Sequence, residues 1–237
     1  MAFEVQVAVA KTHKYANRES GDTVELVERP TGGFSVVLVD GQGSGQAAKT
    51  LSLLVSAKAV AMLKDGARDG VVARAVHDYL HAFRRGRVSA TLEILSVDLA
   101  SKTVVSSRNS ETPLLLGHNG VYELRPALST AIGIRRHTKP AIDQFDAEPG
   151  LQVAIFSDGI IHAGERANRP FDPLAFAQAE LGADLAAQQL ADVILAEALA
   201  RDAGRPNDDM TVVALTLGAR VEYPPVRRLV AVVPLPY

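Results

Sequence analysis

The chain of 237 residues carries 25 Lys and Arg against 27 Asp and Glu, a formal net charge of -2, with 47% hydrophobic and 22% charged residues. Those proportions suit a globular protein with a sizeable core and exclude disordered, collagenous and coiled-coil chains. The absence of cysteine excludes disulfides, thiolate metal sites and cysteine nucleophiles, and the near-neutral balance offers no broad field for nucleic acid.

The first predicted strand is Phe3 to Val9, followed by a polar loop from His13 to Asp22. No basic region precedes the apolar run, so no signal peptide is expected. Thr23 to Glu28 alternates as a strand does, and Pro30-Thr31-Gly32-Gly33 is a turn signal. Phe34 to Val39 is almost unbroken apolar sequence, the pattern of a strand buried on both faces. After Asp40-Gly41-Gln42-Gly43-Ser44-Gly45, apolar residues recur at helical spacing from Gln46 to Leu63, and a second helix is predicted over Val71 to Phe83. A meander follows: Ser89 to Leu99, Thr103 to Arg108, Leu114 to His118 and Val121 to Leu124, with Asn119-Gly120 as a hairpin turn. Leu151 to Phe156 reads as another buried strand. Two helices, Pro173 to Leu181 and Asp184 to Arg201, precede a last strong strand, Met210 to Leu217. A short strand is predicted in the tail, Arg228 to Val233. No apolar run is long enough to span a membrane, and a cytoplasmic location is expected. Strands grouped apart from helices point to an α+β sandwich rather than a doubly wound sheet.

Asp40, Asp158 and the pair Asp208-Asp209 lie at the ends of the three most apolar strands. If the Asp208 strand runs antiparallel to the other two, three or four carboxylates converge at one sheet edge, with no Lys or Arg beside them in sequence. Such a cluster repels itself and calls for a cation, and oxygen-only ligation selects Mg²⁺ or Mn²⁺. The competing explanation is that Asp beside Gly is ordinary turn vocabulary.

Gly21-Asp22, Asp40-Gly41-Gln42-Gly43-Ser44-Gly45, Ser157-Asp158-Gly159 and Asp208-Asp209-Met210-Thr211 resemble, in order, the motifs of the metal-dependent (type 2C, PPM) protein phosphatases. The likeness is to their bacterial SpoIIE-like branch. Ser89-Ala90-Thr91-Leu92, Asn109, Pro113 to His118 and Thr130-Ala131-Ile132-Gly133 resemble that branch's middle section. The resemblance covers about residues 15 to 217, which assigns residues 1–218 to the phosphatase domain and 219–237 to an extension of unassigned role. It implies a four-layer α-β-β-α sandwich with a two-metal Mn²⁺ or Mg²⁺ site. Asp40 would bridge both ions, the Gly41 carbonyl would bind one, and Asp158 and Asp208 would complete a shell, with Asp22 beside the metals. Asp209 stands where the family usually has Asn, so either Asp208 or Asp209 could be the ligand. The family's phosphate-binding Arg has no clear match; Arg18 lies near its place. The implied activity is a phosphoserine/phosphothreonine phosphatase acting on a phosphorylated STAS-type regulatory protein, without nucleic acid or membrane partners. The alternatives are a weakly active pseudophosphatase that binds such a partner and a small-molecule phosphoesterase.

Other features are weaker. The Gly41 to Gly45 run could cradle a phosphate at a helix N-terminus, but a turn that brings Asp40 and Gly41 to a metal is simpler. His77 and His81 share a helix face, yet the arginines after them read as a solvated surface. His162 could serve as a general acid. The Asp158 to Asp172 segment and the Arg135-Arg136 turn are candidate docking loops.

Overall fold

The computed structural model describes residues 3–15, 17–219 and 226–234. One antiparallel sheet has the order β1 (Phe3–Thr12), β10 (Met210–Ala219), β9 (Leu151–Phe156), β6 (Leu114–His118), β7 (Val121–Arg125). The other runs β2 (Thr23–Glu28), β3 (Phe34–Val39), β4 (Leu92–Asp98), β5 (Thr103–Asn109), β8 (Ala141–Asp146). Helices α1 (Gly45–Lys64) and α2 (Asp69–Arg84) cover the second sheet. Helices α4 (Pro173–Glu180) and α5 (Ala187–Arg201) cover the first, and the short α3 (Asp158–Ile161) follows β9.

The layers follow from the two periodicities. In α1, Leu51, Val55, Ala59 and Leu63 repeat every four residues and pack with Val72, Val76 and Leu80 of α2 onto Val37, Val39 and Ile94. Alternate residues of the same strands point the other way: Val36, Leu38 and Leu95 meet Val153, Ile155, Val213 and Leu215 between the sheets. Each central strand is thus apolar on both faces, which is why β3 and β9 read as unbroken apolar runs. The four-layer α-β-β-α order expected from the resemblance is present. At the β6–β7 hairpin, Asn119 and Gly120 have φ of 52° and 81°, as a type I′ turn requires. Among the described residues, no helix is long and apolar enough to cross a membrane.

Three expectations are corrected. Strand β8, sequence AIDQFD, was not anticipated; it alternates half-buried and exposed residues at a sheet edge, a weak pattern behind Pro140. Residues 228–233 form no strand; Leu229 and Val232 are 77% and 89% exposed, and Arg227 reaches Glu28 at 3.3 Å. Finally, β10 is antiparallel to β9, but β3 belongs to the other sheet, so the acidic strand ends share a double edge rather than one sheet edge.

The interior holds one charged group that the core tolerates poorly. Glu93 lies across from Arg108 on β5 and is fully buried; its Oε1 accepts the Thr112 hydroxyl at 2.6 Å while Oε2 has no partner. Arg108 donates instead to Asp143 at 2.6 Å and to the Thr112 and Arg125 carbonyls. Burial therefore raises the Glu93 carboxyl from 4.5 to about 7. The native state then binds a proton that the unfolded chain releases, so stability falls as pH rises between about 4.5 and 7. Glu93→Gln, neutral throughout, should lack that slope. Its unfolding free energy from urea titration is expected to gain on the wild type between pH 5 and pH 8, by on the order of 1–3 kcal/mol. A constant difference across that range would show that Glu93 is not held protonated.

Candidate metal centre

The acidic residues predicted from sequence come from four loops at one edge of both sheets. Asp40 ends β3, Asp158 follows β9, Asp208 precedes β10, and Asp22 precedes β2. The backbone is packed so closely here that a methyl group would not fit: a Cβ on Gly41 would lie 2.3 Å from the Ala48 carbonyl oxygen at the start of α1, and one on Gly159 would lie 2.2 Å from that of Asp209 in the facing loop. Asp40 is tied to the Thr91 loop by two bonds. Its N–H donates to Thr91 Oγ1 at 3.2 Å, and its carbonyl accepts the Thr91 N–H at 2.9 Å. The Gly41–Ala90 bridge is closed by the neighbouring groups, Gln42 N–H to Ser89 carbonyl and Thr91 N–H to Asp40 carbonyl. Gly41's own carbonyl is not used in that pairing.

The electrostatics are those of concentrated negative charge. Burial, then the fields of Asp22, Asp158, Asp208 and Asp209, push the Asp40 carboxyl up to about 9. Asp158 is raised by burial and by Asp208. Asp22, buried, is pushed to about 6 chiefly by desolvation, although the Thr211 hydroxyl donates to Oδ2 at 2.5 Å. Its Oδ1 is buried without a partner. Compensation is partial: Lys11 and Lys49 both donate to the Asp22 carbonyl, at 3.0 and 2.7 Å, and the fields of Lys11 and His162 lower the Asp22 and Asp158 carboxyls without offsetting their burial. The absence of cations holds for the sequence neighbourhood but not for space, and neither lysine was anticipated, because their contacts are 11 and 27 residues distant along the chain.

A divalent cation fits this donor set: hard oxygens in excess negative charge, with an orphaned buried carboxylate oxygen among them. Among the described residues, no three acidic or histidine side chains stand close enough to hold an ion without adjustment.

The Asp208-Asp209 pair divides its work. Asp209 is buried, and its two oxygens accept the Lys14 N–H at 2.8 Å and the Gly21 N–H at 2.7 Å. It fastens the loop that carries Asp22. Asp208 is half-buried, accepts only the Asp209 N–H at 2.9 Å, and bears electrostatically on Asp40 and Asp158. Ser157 and Thr211 complete the clamp, since Thr211 N–H donates to Ser157 Oγ at 2.9 Å and Ser157 N–H to the Thr211 carbonyl at 3.0 Å.

The remaining candidates separate cleanly. Arg18 is exposed in the β1–β2 loop. His77 is buried rather than solvated, and both histidines serve the Gly133 loop: His77 Nδ1 accepts the Gly133 N–H at 3.2 Å and His81 Nδ1 lies 3.1 Å from its carbonyl. His162 is paired with Glu165 at 2.8 Å, which, with the fields of Asp158 and Asp208, raises its pKa. Two surface clefts, of about 580 and 420 Å³, lie beside α4–α5 and beside Asn119 and Gly150, away from the carboxylates. At the acidic centre Asp22 and Asp209 are buried, while Asp40, Asp158 and Asp208 are half-buried.

The chain is similar to known proteins in sequence and in fold. A family model described as stage II sporulation protein E matches residues 30–218. Stage II sporulation protein E of Priestia megaterium is 24% identical over 223 residues, covering 91% of this chain and 37% of that protein. Its Bacillus subtilis (strain 168) counterpart is 22% identical over 229 residues, covering 91% and 26%. The chain thus spans about a third or less of these relatives. In fold it is similar to the PP2C phosphatase domain of SpoIIE from Bacillus subtilis, solved with a fragment of its regulatory domain, with a TM-score of 0.80 at 20% identity over 93% of this chain and 65% of that one. RsbX in complex with magnesium gives 0.66 at 15% over 90% and 96%, and the catalytic domain of the phosphatase PstP with two manganese ions gives 0.67 at 17% over 92% and 100%.

The division between the paired acids has a measurable consequence without any ligand. Asp209→Ala leaves two loop N–H groups without their acceptor and should cost about 1–3 kcal/mol of stability. Asp208→Ala removes a like charge from the cluster and should leave the melting temperature equal or higher in metal-free buffer. The reverse ranking would show that Asp208 is the clamp.

Proposed function

The chain belongs to the stage II sporulation protein E family, and from that premise we propose that it is a Mn²⁺- or Mg²⁺-dependent phosphatase of phosphoserine and phosphothreonine. The observation that carries the reading is the meeting of Asp22, Asp40, Asp158 and Asp208 at the double sheet edge, where the four acidic motifs matched by resemblance become one electrostatic unit. Asp40 lies at its electrostatic centre, with Gly41 supplying a carbonyl and Asp158 and Asp208 flanking it. Asp209, engaged by Lys14 and Gly21, is the positioning residue, so we favour Asp208 as the ligand. Two divalent ions in such a site supply an activated water and neutralise phosphoryl oxygens.

The chain's own residues do the rest. Thr211 orients Asp22, and Thr91 fixes the Asp40 backbone. The His162 ring, whose pKa is raised by Glu165, stands on the Asp158 side and is placed to act as a general acid toward the leaving serine or threonine oxygen. The resemblance supports a STAS-type regulatory protein as the substrate.

The direct test is hydrolysis of p-nitrophenyl phosphate with Mn²⁺ added and then removed by chelation. Asp40→Asn should lower kcat/KM on the order of 100-fold or more, with weakened metal affinity by calorimetry. Near-native turnover in that variant would eliminate the two-metal reading.

A further inference from the structure

We propose that the loops 84–88 and 133–139 together form a basic docking ledge that receives an acidic segment of the phosphorylated protein, an assignment that rests on the phosphatase reading for its partner. The two loops are far apart in sequence but laced together. His81 Nδ1 lies 3.1 Å from the Gly133 carbonyl, and Ala90 and Ile132 exchange N–H to carbonyl bonds of 3.2 and 2.9 Å. A Cβ on Gly133 would lie 2.4 Å from the Val88 carbonyl oxygen. The α2 helix ends in a left-handed Arg85, φ 55°, which turns the chain outward at this point.

The ledge concentrates one sign of charge in a chain whose total is nearly balanced. Arg84, Arg85, Arg87, Arg135, Arg136 and Lys139 are all exposed. Neither 79–92 nor 124–142 contains an Asp or Glu. Among the described residues, none of the six is in an ion pair. Surface cations that served only solubility would be interspersed with acids. By contrast, the other docking candidate, the segment after Asp158, is already occupied: Glu165 holds His162, Arg166 donates to Asn207 at 2.7 Å, and Arg169 donates to the Arg201 carbonyl.

Position gives the ledge its purpose. Ala90 bridges both Ile132 on the ledge side and Gly41 at the carboxylate centre, so the two regions are joined by one short ladder. With cations at the centre to engage the phosphate, the acidic residues that flank it in the partner still need a counter-charge beside the site. The adjacent positive field of the ledge supplies it and raises the local concentration of the anionic segment. Nucleic acid is the less suited occupant, because Phe83 is already stacked on Tyr79 at 5.6 Å and covered by Arg84 at 5.0 Å, which leaves His137 as the exposed ring of the two loops.

The test compares two fluorescent phosphoserine peptides that differ only in one flank, five Glu against five Gln, binding the full chain at low salt by anisotropy. The Glu peptide is expected to bind roughly tenfold tighter, with the advantage shrinking as salt rises. Arg135→Glu with Arg136→Glu should abolish that preference, and Arg84→Gln with Arg87→Gln should reduce it, while Mn²⁺-dependent turnover of p-nitrophenyl phosphate stays within about twofold of the wild type. Equal affinity for the two peptides, or a preference that survives the charge reversal, overturns the ledge. So does binding of a single-stranded oligonucleotide or an anionic vesicle that is lost in the variant while the peptides bind alike. Absence of aryl phosphate turnover in the wild type would instead count against the phosphatase reading and leave the binding comparison intact.

Discussion

The constraint on which this molecule depends is repulsion among carboxylates that four separate loops press into one place. Two unit charges about 4 Å apart in a medium of intermediate dielectric oppose each other by several kcal/mol, and here each of Asp22, Asp40 and Asp158 feels more than one neighbour. No local interaction would assemble such a group. It is held by three apolar layers, two between helices and sheets and one between the sheets, whose burial is large enough to carry a locally unfavourable edge.

Close approach is the second half of the arrangement. Gly41 and Gly159 are contact residues: a side chain at Gly41 would strike a carbonyl in the first turn of α1, and one at Gly159 would strike the Asp209 carbonyl of the opposing loop. Asp209 then converts proximity into register, joining the start of β10 to the loop before β2 across 188 residues of sequence through its bond to Gly21. One carboxylate is engaged in bonding protein so that its neighbour can remain unsatisfied. That pairing of a clamped acid with a free one lets a site be both rigid and highly charged.

The surface repeats the separation of charge on a larger scale. Acids gather at the double edge while arginines gather on the loops that end α2 and follow β7, with the Gly41–Ala90–Ile132 ladder between them. A near-neutral total conceals this division, because net charge reports a sum and recognition depends on a distribution.

The alternation of β2, the apolar runs of β3 and β9, the helical spacing of α1 and the Asn119-Gly120 turn were legible because each reflects a local periodicity or a local backbone requirement. So were the acidic motifs, since Asp at the end of a buried strand is a one-dimensional pattern. The sequence could not show that β3 and β9 lie in different sheets, because either partition satisfies the same alternation. Strand β8 escaped because an edge strand needs little apolar sequence, and residues 228–233 were misread because apolar β-branched composition does not supply a pairing partner. The roles of Asp208 and Asp209 were ambiguous for a similar reason: adjacent identical residues differ only in what lies across from them. Lys14 and Gly21 came to one and not the other through long-range packing, and that contact, which no local pattern encodes, decided which acid is structural and which is free.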